Sequence, residues 1–322
     1  MGRGGVGRIS PEAVKLTRLN VVGLGLFLAL LLLPDALPQD SVIRVNVRLV
    51  RLLVTVRTAA GGLVTNLQKK DFNVFDNGAK QEIAVFERHT EQPLSISVLI
   101  DTSASTGKDL QYETDSVLRF VRAVVREGNP DDAVSLYAFN WQVRQVVDFT
   151  RQLDRMARPL KALRAEGGTS MYDAIYLASQ DLEPREGRHV LIIVTDGGDT
   201  TSYKNFNIAL RSAQRADTVI YPILDVPITN PAGRNIGGEH ALTTMANGTG
   251  GAVFRPEDSA DLDTAFDDIL TALRTQYLVG FYPHDVPLTK NPFHEIRVTV
   301  GAPNLRVITR NGYYGESSET SH

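Results

Sequence analysis

The 322-residue chain has no cysteine. Disulfides, thiolate-bound zinc, iron–sulfur clusters and a cysteine-borne lipid anchor are therefore excluded. The six histidines, His89, His189, His240, His284, His294 and His322, show no metal spacing such as H-E-x-x-H. No basic block occurs and the formal net charge is −3, so nothing in the charge pattern points to nucleic acid. No apolar run reaches the roughly 20 residues that a membrane-spanning helix needs. Enzyme signatures are missing as well. There is no G-x-S-x-G elbow, and no histidine is motif-linked to Ser103 or Ser105. Ser105-Thr106-Gly107-Lys108 lacks the leading glycine of a phosphate loop.

What is present begins with a leader-like segment. Arg3, Arg8, Lys15 and Arg18 precede an uncharged, leucine-rich run at 21–33, followed by Pro34-Asp35-Ala36 and a polar turn at Gln39-Asp40. This order of basic, apolar and small-residue parts is that of a secretory signal. Residues 1–40 are read as a signal peptide or, uncleaved, as an N-terminal anchor. The body is then expected to be secreted or in the periplasm or cell envelope, with membrane attachment only through that segment.

Three further regions follow. Residues 42–92 alternate apolar and polar side chains, change phase near residue 50, and carry a hairpin signal at Asn77-Gly78. From residue 94 to 275, apolar strands alternate with helical stripes, the pattern of an α/β sheet. In the last helix, Leu262, Ala265, Phe266, Ile269, Leu270 and Leu273 mark one face. Residues 276–314 return to strand patterning, and 315–322 are polar and expected to be a disordered tail. Strands on both sides of an α/β unit suggest an insertion. The segments 42–92 and 276–314 are expected to form one small all-β sandwich module, because either alone would leave unpaired edges.

The α/β region opens on a run at 94–100 that reads as a buried strand and ends in Asp101-Thr102-Ser103-Ala104-Ser105. One carboxylate and two hydroxyls at alternating positions are hard oxygen donors, suited to Mg²⁺, Ca²⁺ or Mn²⁺. Two other pieces accompany them: Gly167-Gly168-Thr169-Ser170, and Thr195-Asp196-Gly197-Gly198 after an apolar strand. In an open α/β sheet such strand ends flank the ligand crevice. Five oxygen donors from three loops can therefore meet: Asp101, Ser103, Ser105, Thr169 and Asp196. The competing reading is local, with Asp101 and Ser103 as helix caps and Asp196-Gly197 as a plain turn.

These three motifs, in this order and context, resemble the von Willebrand factor type A domain over residues 94–275. The resemblance implies a doubly wound, mostly parallel six-stranded sheet of Rossmann-like form and a metal-ion-dependent adhesion site. In that family the serines and threonine bind the metal directly, and the aspartates often through water. Carried over, these are Ser103, Ser105, Thr169, Asp101 and Asp196. An acidic side chain of a protein partner then completes the shell. The flanking segments, 67–78 and 310–313, are similar to those of bacterial secreted proteins carrying this domain, of a type seen in acidobacteria. Asp199 and Trp141 are further candidates, as partner contacts. The expected function is a cation-dependent protein-binding module and not an enzyme. A metal-stabilised assembly factor is the alternative, and a metal-dependent hydrolase the third reading.

Overall fold

The computed structural model describes residues 49–88, 91–225, 235–287 and 292–315. The leader or anchor at 1–40, the alternation at 43–47 and the tail from 316 lie outside the described residues. Among the described residues no helix is long and apolar enough to cross a membrane.

The α/β unit is built on five strands: β5 (Leu94–Asp101), β6 (Ala133–Phe139), β7 (Val143–Thr150), β8 (Arg188–Thr195) and β9 (Thr218–Leu224). Their order is β7-β6-β5-β8-β9, with β7 antiparallel and the other neighbours parallel. β5, β6, β8 and β9 are buried along their whole length, as expected of strands covered on both faces. Chain order moves from β5 to β6 on one side and later to β8 on the other, so the topological switch lies at β5/β8.

Helices cover both faces. On one side α1 (Leu110–Glu127), α2 (Leu153–Lys161) and α6 (Ser259–Thr275) pack through Val117, Phe120, Met156, Leu160, Phe266 and Ile269 against Ile96, Val98 and Ile100. Phe120 stacks on Phe266 with centroids 4.9 Å apart. On the other side α3 (Met171–Leu182), α4 (Phe206–Arg215) and α5 (Ile236–Thr249) pack through Ile175, Ala213 and Met245 around Leu99, Leu191 and Ile193.

One sequence expectation needs correction. The sheet has five strands, not six. Residues 252–254, beside β9, make a single parallel bridge, Ile223 to Phe254, because Gly250-Gly251 and Pro256 interrupt the segment on both sides. Helix α5 runs to Thr249 and ends at Gly250, whose φ of 86° provides the left-handed cap.

The flanking strands are β1 (Val50–Thr58), β2 (Phe72–Asp76), β3 (Ala79–Gln81), β4 (Ile83–Arg88), β10 (Tyr277–Phe281), β11 (Phe293–Val300), β12 (Leu305–Ile308) and β13 (Gly312–Tyr314). They form two four-stranded sheets, β12-β1-β10-β4 and β13-β11-β2-β3, each mixing strands from before and after the α/β unit. Asn77 and Gly78, at φ 46° and 84°, make the tight turn between β2 and β3. Leu52, Val54, Val74, Val279, Phe281 and Ile296 share one buried cluster.

Candidate metal site at the strand ends

Asp101 is the last residue of β5 and is fully buried. Its Oδ1 accepts the Ser103 N–H at 2.8 Å, and its Oδ2 accepts the Thr195 hydroxyl at 2.6 Å. Both carboxylate oxygens are thereby oriented. Burial pushes the carboxyl up to about 6; the Thr195 and Ser103 hydrogen bonds oppose this, and the charge of Asp196 adds to it.

The loop after Asp101 is locked in place. Thr102 donates N–H and hydroxyl to Phe139 O at the end of β6, at 2.7 and 3.1 Å. The Thr106 hydroxyl reaches back to Asp101 O and Ser103 O, both at 3.1 Å, and closes the 3₁₀ turn Ala104–Lys108. That turn brings the Ser103 and Ser105 hydroxyl oxygens to 3.1 Å from each other.

The second loop attaches through its backbone, with Gly167 O accepting Ala104 N–H at 3.1 Å. Gly167 has φ +72°, and a Cβ there would collide with Trp141 Cδ1. Thr169 is held on the other side, its N–H donating to Thr200 Oγ1 at 2.9 Å and its carbonyl accepting Thr200 and Thr201 N–H. Its hydroxyl takes part in none of these bonds. Asp196, half-buried, accepts Gly198 N–H at 3.3 Å just before that loop.

The structure thus joins Asp101, Ser103 and Ser105 by short direct links. It couples Asp196 to Asp101 through charge and Thr169 to them through the Gly167–Ala104 backbone bond. The donor chemistry suits a hard divalent cation. All five side chains offer oxygen, and two are acids. The 3.1 Å between the serine oxygens is close to the roughly 3.0 Å between neighbouring vertices of a Mg²⁺ octahedron with bonds of about 2.1 Å. Among the described residues no group of three or more His, Cys, Asp and Glu side chains gathers as a metal site, so a cation held here would rely on the hydroxyls as well as the two acids.

The two expected partner contacts separate. Trp141 is half exposed on the β6–β7 connection and packs over Gly167, at the edge of the site. Asp199 has a structural role in the fold. Its Oδ1 accepts the N–H groups of Met171 at 2.8 Å and Tyr172 at 3.2 Å, capping α3, and also the Ser202 hydroxyl at 2.6 Å.

Residues not singled out from sequence complete the site from behind. Thr195 was visible only as part of Thr195-Asp196-Gly197, yet its hydroxyl holds Asp101. Glu113 lies on the apolar stripe of α1 between Leu110 and Val117 and is 1 % exposed. Its Oε2 has no hydrogen-bond partner. Burial, and then Asp225 at the end of β9, push its carboxyl up to about 9, with Asp101 and Asp109 adding to the rise. The Tyr112 hydroxyl donates to the same Asp225 at 2.5 Å. An acid on an apolar helical stripe was the available signal.

The von Willebrand factor type A domain family model matches residues 95–268. No curated protein matches the chain. Among solved structures, the chain is similar to the vWF domain of the type V pili tip protein Mfa5 from Porphyromonas gingivalis, at 15% identity and TM-score 0.46, covering 57% of this chain and 96% of that one. The PilB minor pilin from Streptococcus sanguinis follows at 12% identity and TM-score 0.46, covering 57% of this chain and 62% of the pilin. An aerotolerance-related membrane protein from Bacteroides fragilis is similar at 19% identity and TM-score 0.43, covering 56% of this chain and 98% of that one. With the family model spanning more than half of its length, the chain belongs to the von Willebrand factor type A domain family.

Proposed function

We propose that the chain is an extracytoplasmic protein-binding module whose complete adhesion site, Asp101, Ser103, Ser105, Thr169 and Asp196, holds Mg²⁺, or Ca²⁺ or Mn²⁺ in its place. The observation that carries this reading is the pairing of a buried, doubly hydrogen-bonded Asp101 with two serine oxygens 3.1 Å apart, beside a second acid. Two carboxylates cancel the charge of a divalent cation and three hydroxyls add none. The ion therefore keeps Lewis acidity and a position for an anionic ligand, a carboxylate of a protein partner.

The rim supports a protein partner. The three most exposed of the large apolar side chains are Tyr203 at 96%, Ile236 at 75% and Trp141 at 53%. Each lies near one of two ligand loops, 167–170 or 195–198. Trp141 rests on Gly167, Tyr203 follows the Thr200-Thr201 segment bonded to Thr169, and Ile236 follows Asn235, which packs near Gly198. Aromatic and aliphatic anchors around a polar centre are typical of protein interfaces. The strands flanking the α/β unit act, on this reading, as one β-sandwich into which the domain is inserted. Release of 42–92 as a separately folded piece by limited proteolysis would contradict that arrangement.

Calorimetric titration with Mg²⁺, Mn²⁺ and Ca²⁺ tests the site. One cation is expected to bind, and Asp101→Ala and Asp196→Ala are expected to lose it while the circular dichroism spectrum is kept. Envelope proteins retained with Mg²⁺ are expected to be released by EDTA and not retained by Asp101→Ala. Absence of cation binding at millimolar concentration, or equal retention in all three conditions, overturns the proposal.

A further inference from the structure

We propose that the groove between α4 and strands β11 and β13 is a second binding site, for a compact polyanion gripped by Arg211 and Arg215. The groove has a volume of about 440 Å³, and Arg211, Gln214, Arg215, Phe293, Asn311 and Tyr314 contribute to its lining. That volume lies in the range of small-ligand sites, about 300–1,000 Å³.

The charge pattern is the argument. Arg211 and Arg215 are exposed and stand one turn apart on α4. Both guanidiniums lie against one aromatic ring, each 5.6 Å from the centroid of Tyr314. Like charges at this spacing repel one another and destabilise a helix. Among the described residues neither arginine forms an ion pair with a carboxylate. Asp217, two residues beyond Arg215, is bridged to Arg310 instead. One arginine over Tyr314 would be enough to brace the ring; the second adds repulsion that an oxyanion between the two would relieve.

The surroundings suit such a ligand. Phe293 and Tyr314 meet edge to face at 5.1 Å and form an apolar floor that lowers the local dielectric. Gln214 Nε2 donates to Asn311 Oδ1 at 3.3 Å, which leaves Asn311 Nδ2 as an additional N–H donor in the groove. Guanidinium forks recognise carboxylate and phosphate alike in bidentate fashion. Two forks select a ligand with two or more such groups. Arg215 ends α4, and α4 leads into the start of β9. The groove is therefore at the amino ends of the parallel strands, opposite Asp101 and Asp196, and does not depend on the cation site.

The test is calorimetric titration of the full chain with citrate and with pyrophosphate, in metal-depleted buffer, against chloride at matched ionic strength. Saturable one-to-one binding of at least one polyanion is expected. It should weaken at least tenfold in Arg211→Gln and in Arg215→Gln and vanish in the double variant, with melting curves showing that all three fold. Citrate alone assigns a polycarboxylate ligand, pyrophosphate alone a polyphosphate, and both a general oxyanion site. Heats no larger than chloride for both ligands, or wild-type binding by the double variant, overturn the proposal.

Discussion

Replacing Glu113 with glutamine measures the electrostatics behind the cation site. Glu113 is 1 % exposed. Its carboxyl is pushed from an ordinary 4.5 up to about 9, chiefly by burial and then by Asp225. A group with a raised folded-state pKa holds its proton more tightly in the folded chain. Its stabilising effect is whole below about 4.5 and is lost as the pH climbs towards about 9. The loss runs at about 1.4 kcal/mol per pH unit for one proton. Asp101 works with the same sign, but its window closes near its raised value of about 6. Between about pH 6.5 and about pH 8.5 the remaining slope belongs to Glu113 and amounts to about 2.7 kcal/mol. Glutamine keeps the shape and can donate Nε2–H to Asp225, as the protonated acid does, but has no proton to lose. Urea unfolding followed by circular dichroism in metal-depleted buffer provides the readout. With a denaturant slope of about 3 kcal/mol/M, the wild-type midpoint should fall by about 0.9 M across this range, while that of Glu113→Gln stays nearly constant. Midpoints that fall in parallel for the two proteins would refute the assignment.

Three other substitutions separate positioning from folding. Thr195→Val removes the 2.6 Å bond to Asp101 Oδ2 at nearly constant volume. Divalent-cation affinity should drop about 10- to 100-fold in calorimetry with the fold intact, and unchanged affinity denies Thr195 that role. Asp199→Ala strips the α3 amino end of its acceptor for Met171 and Tyr172. A stability loss of about 1–2 kcal/mol is expected in thermal melts, whereas an unaltered melt would argue that the cap is energetically idle. Gly167→Ala forces a side chain onto φ +72° and into Trp141 Cδ1. It should destabilise by about 1–2 kcal/mol or more and shift the emission of the single tryptophan, and wild-type emission would show that Trp141 does not rest on this loop.

The parts of the site readable from sequence are those whose chemistry is local. Asp101, Ser103 and Ser105 lie within one turn, and an apolar strand before them sets where they emerge. Thr195 and Glu113 were harder to read because their roles depend on neighbours far along the chain. Thr195 matters through Asp101, 94 positions away. Glu113 becomes informative only once β9 delivers Asp225 against α1. Asp199 shows a role the sequence did not mark: its Oδ1 closes the start of a helix 28 positions earlier. The sheet followed the same logic. Continuous apolar runs marked the four fully buried strands. At 252–254 the flanking glycines and proline were as visible as the strand-like residues, and they limit pairing to one bridge.

The two ends of the parallel sheet carry opposite uncompensated charge, and this follows from where local pairing is withheld. At the carboxyl ends Asp196 raises Asp101, and Asp225, Asp101 and Asp109 raise Glu113, with Lys108 opposing only the rise of Asp109. A proton on Glu113 relieves part of this negative charge, and the proposed cation at Asp101 and Asp196 would relieve more of it. At the amino ends Asp217 is bridged to Arg310, and Arg211 and Arg215 remain without a carboxylate among the described residues. A fold selected for stability alone would pair such groups with one another or replace them by neutral residues. Charge left unpaired at both ends fits the two proposals, a cation and then a carboxylate at one end and a polyanion at the other.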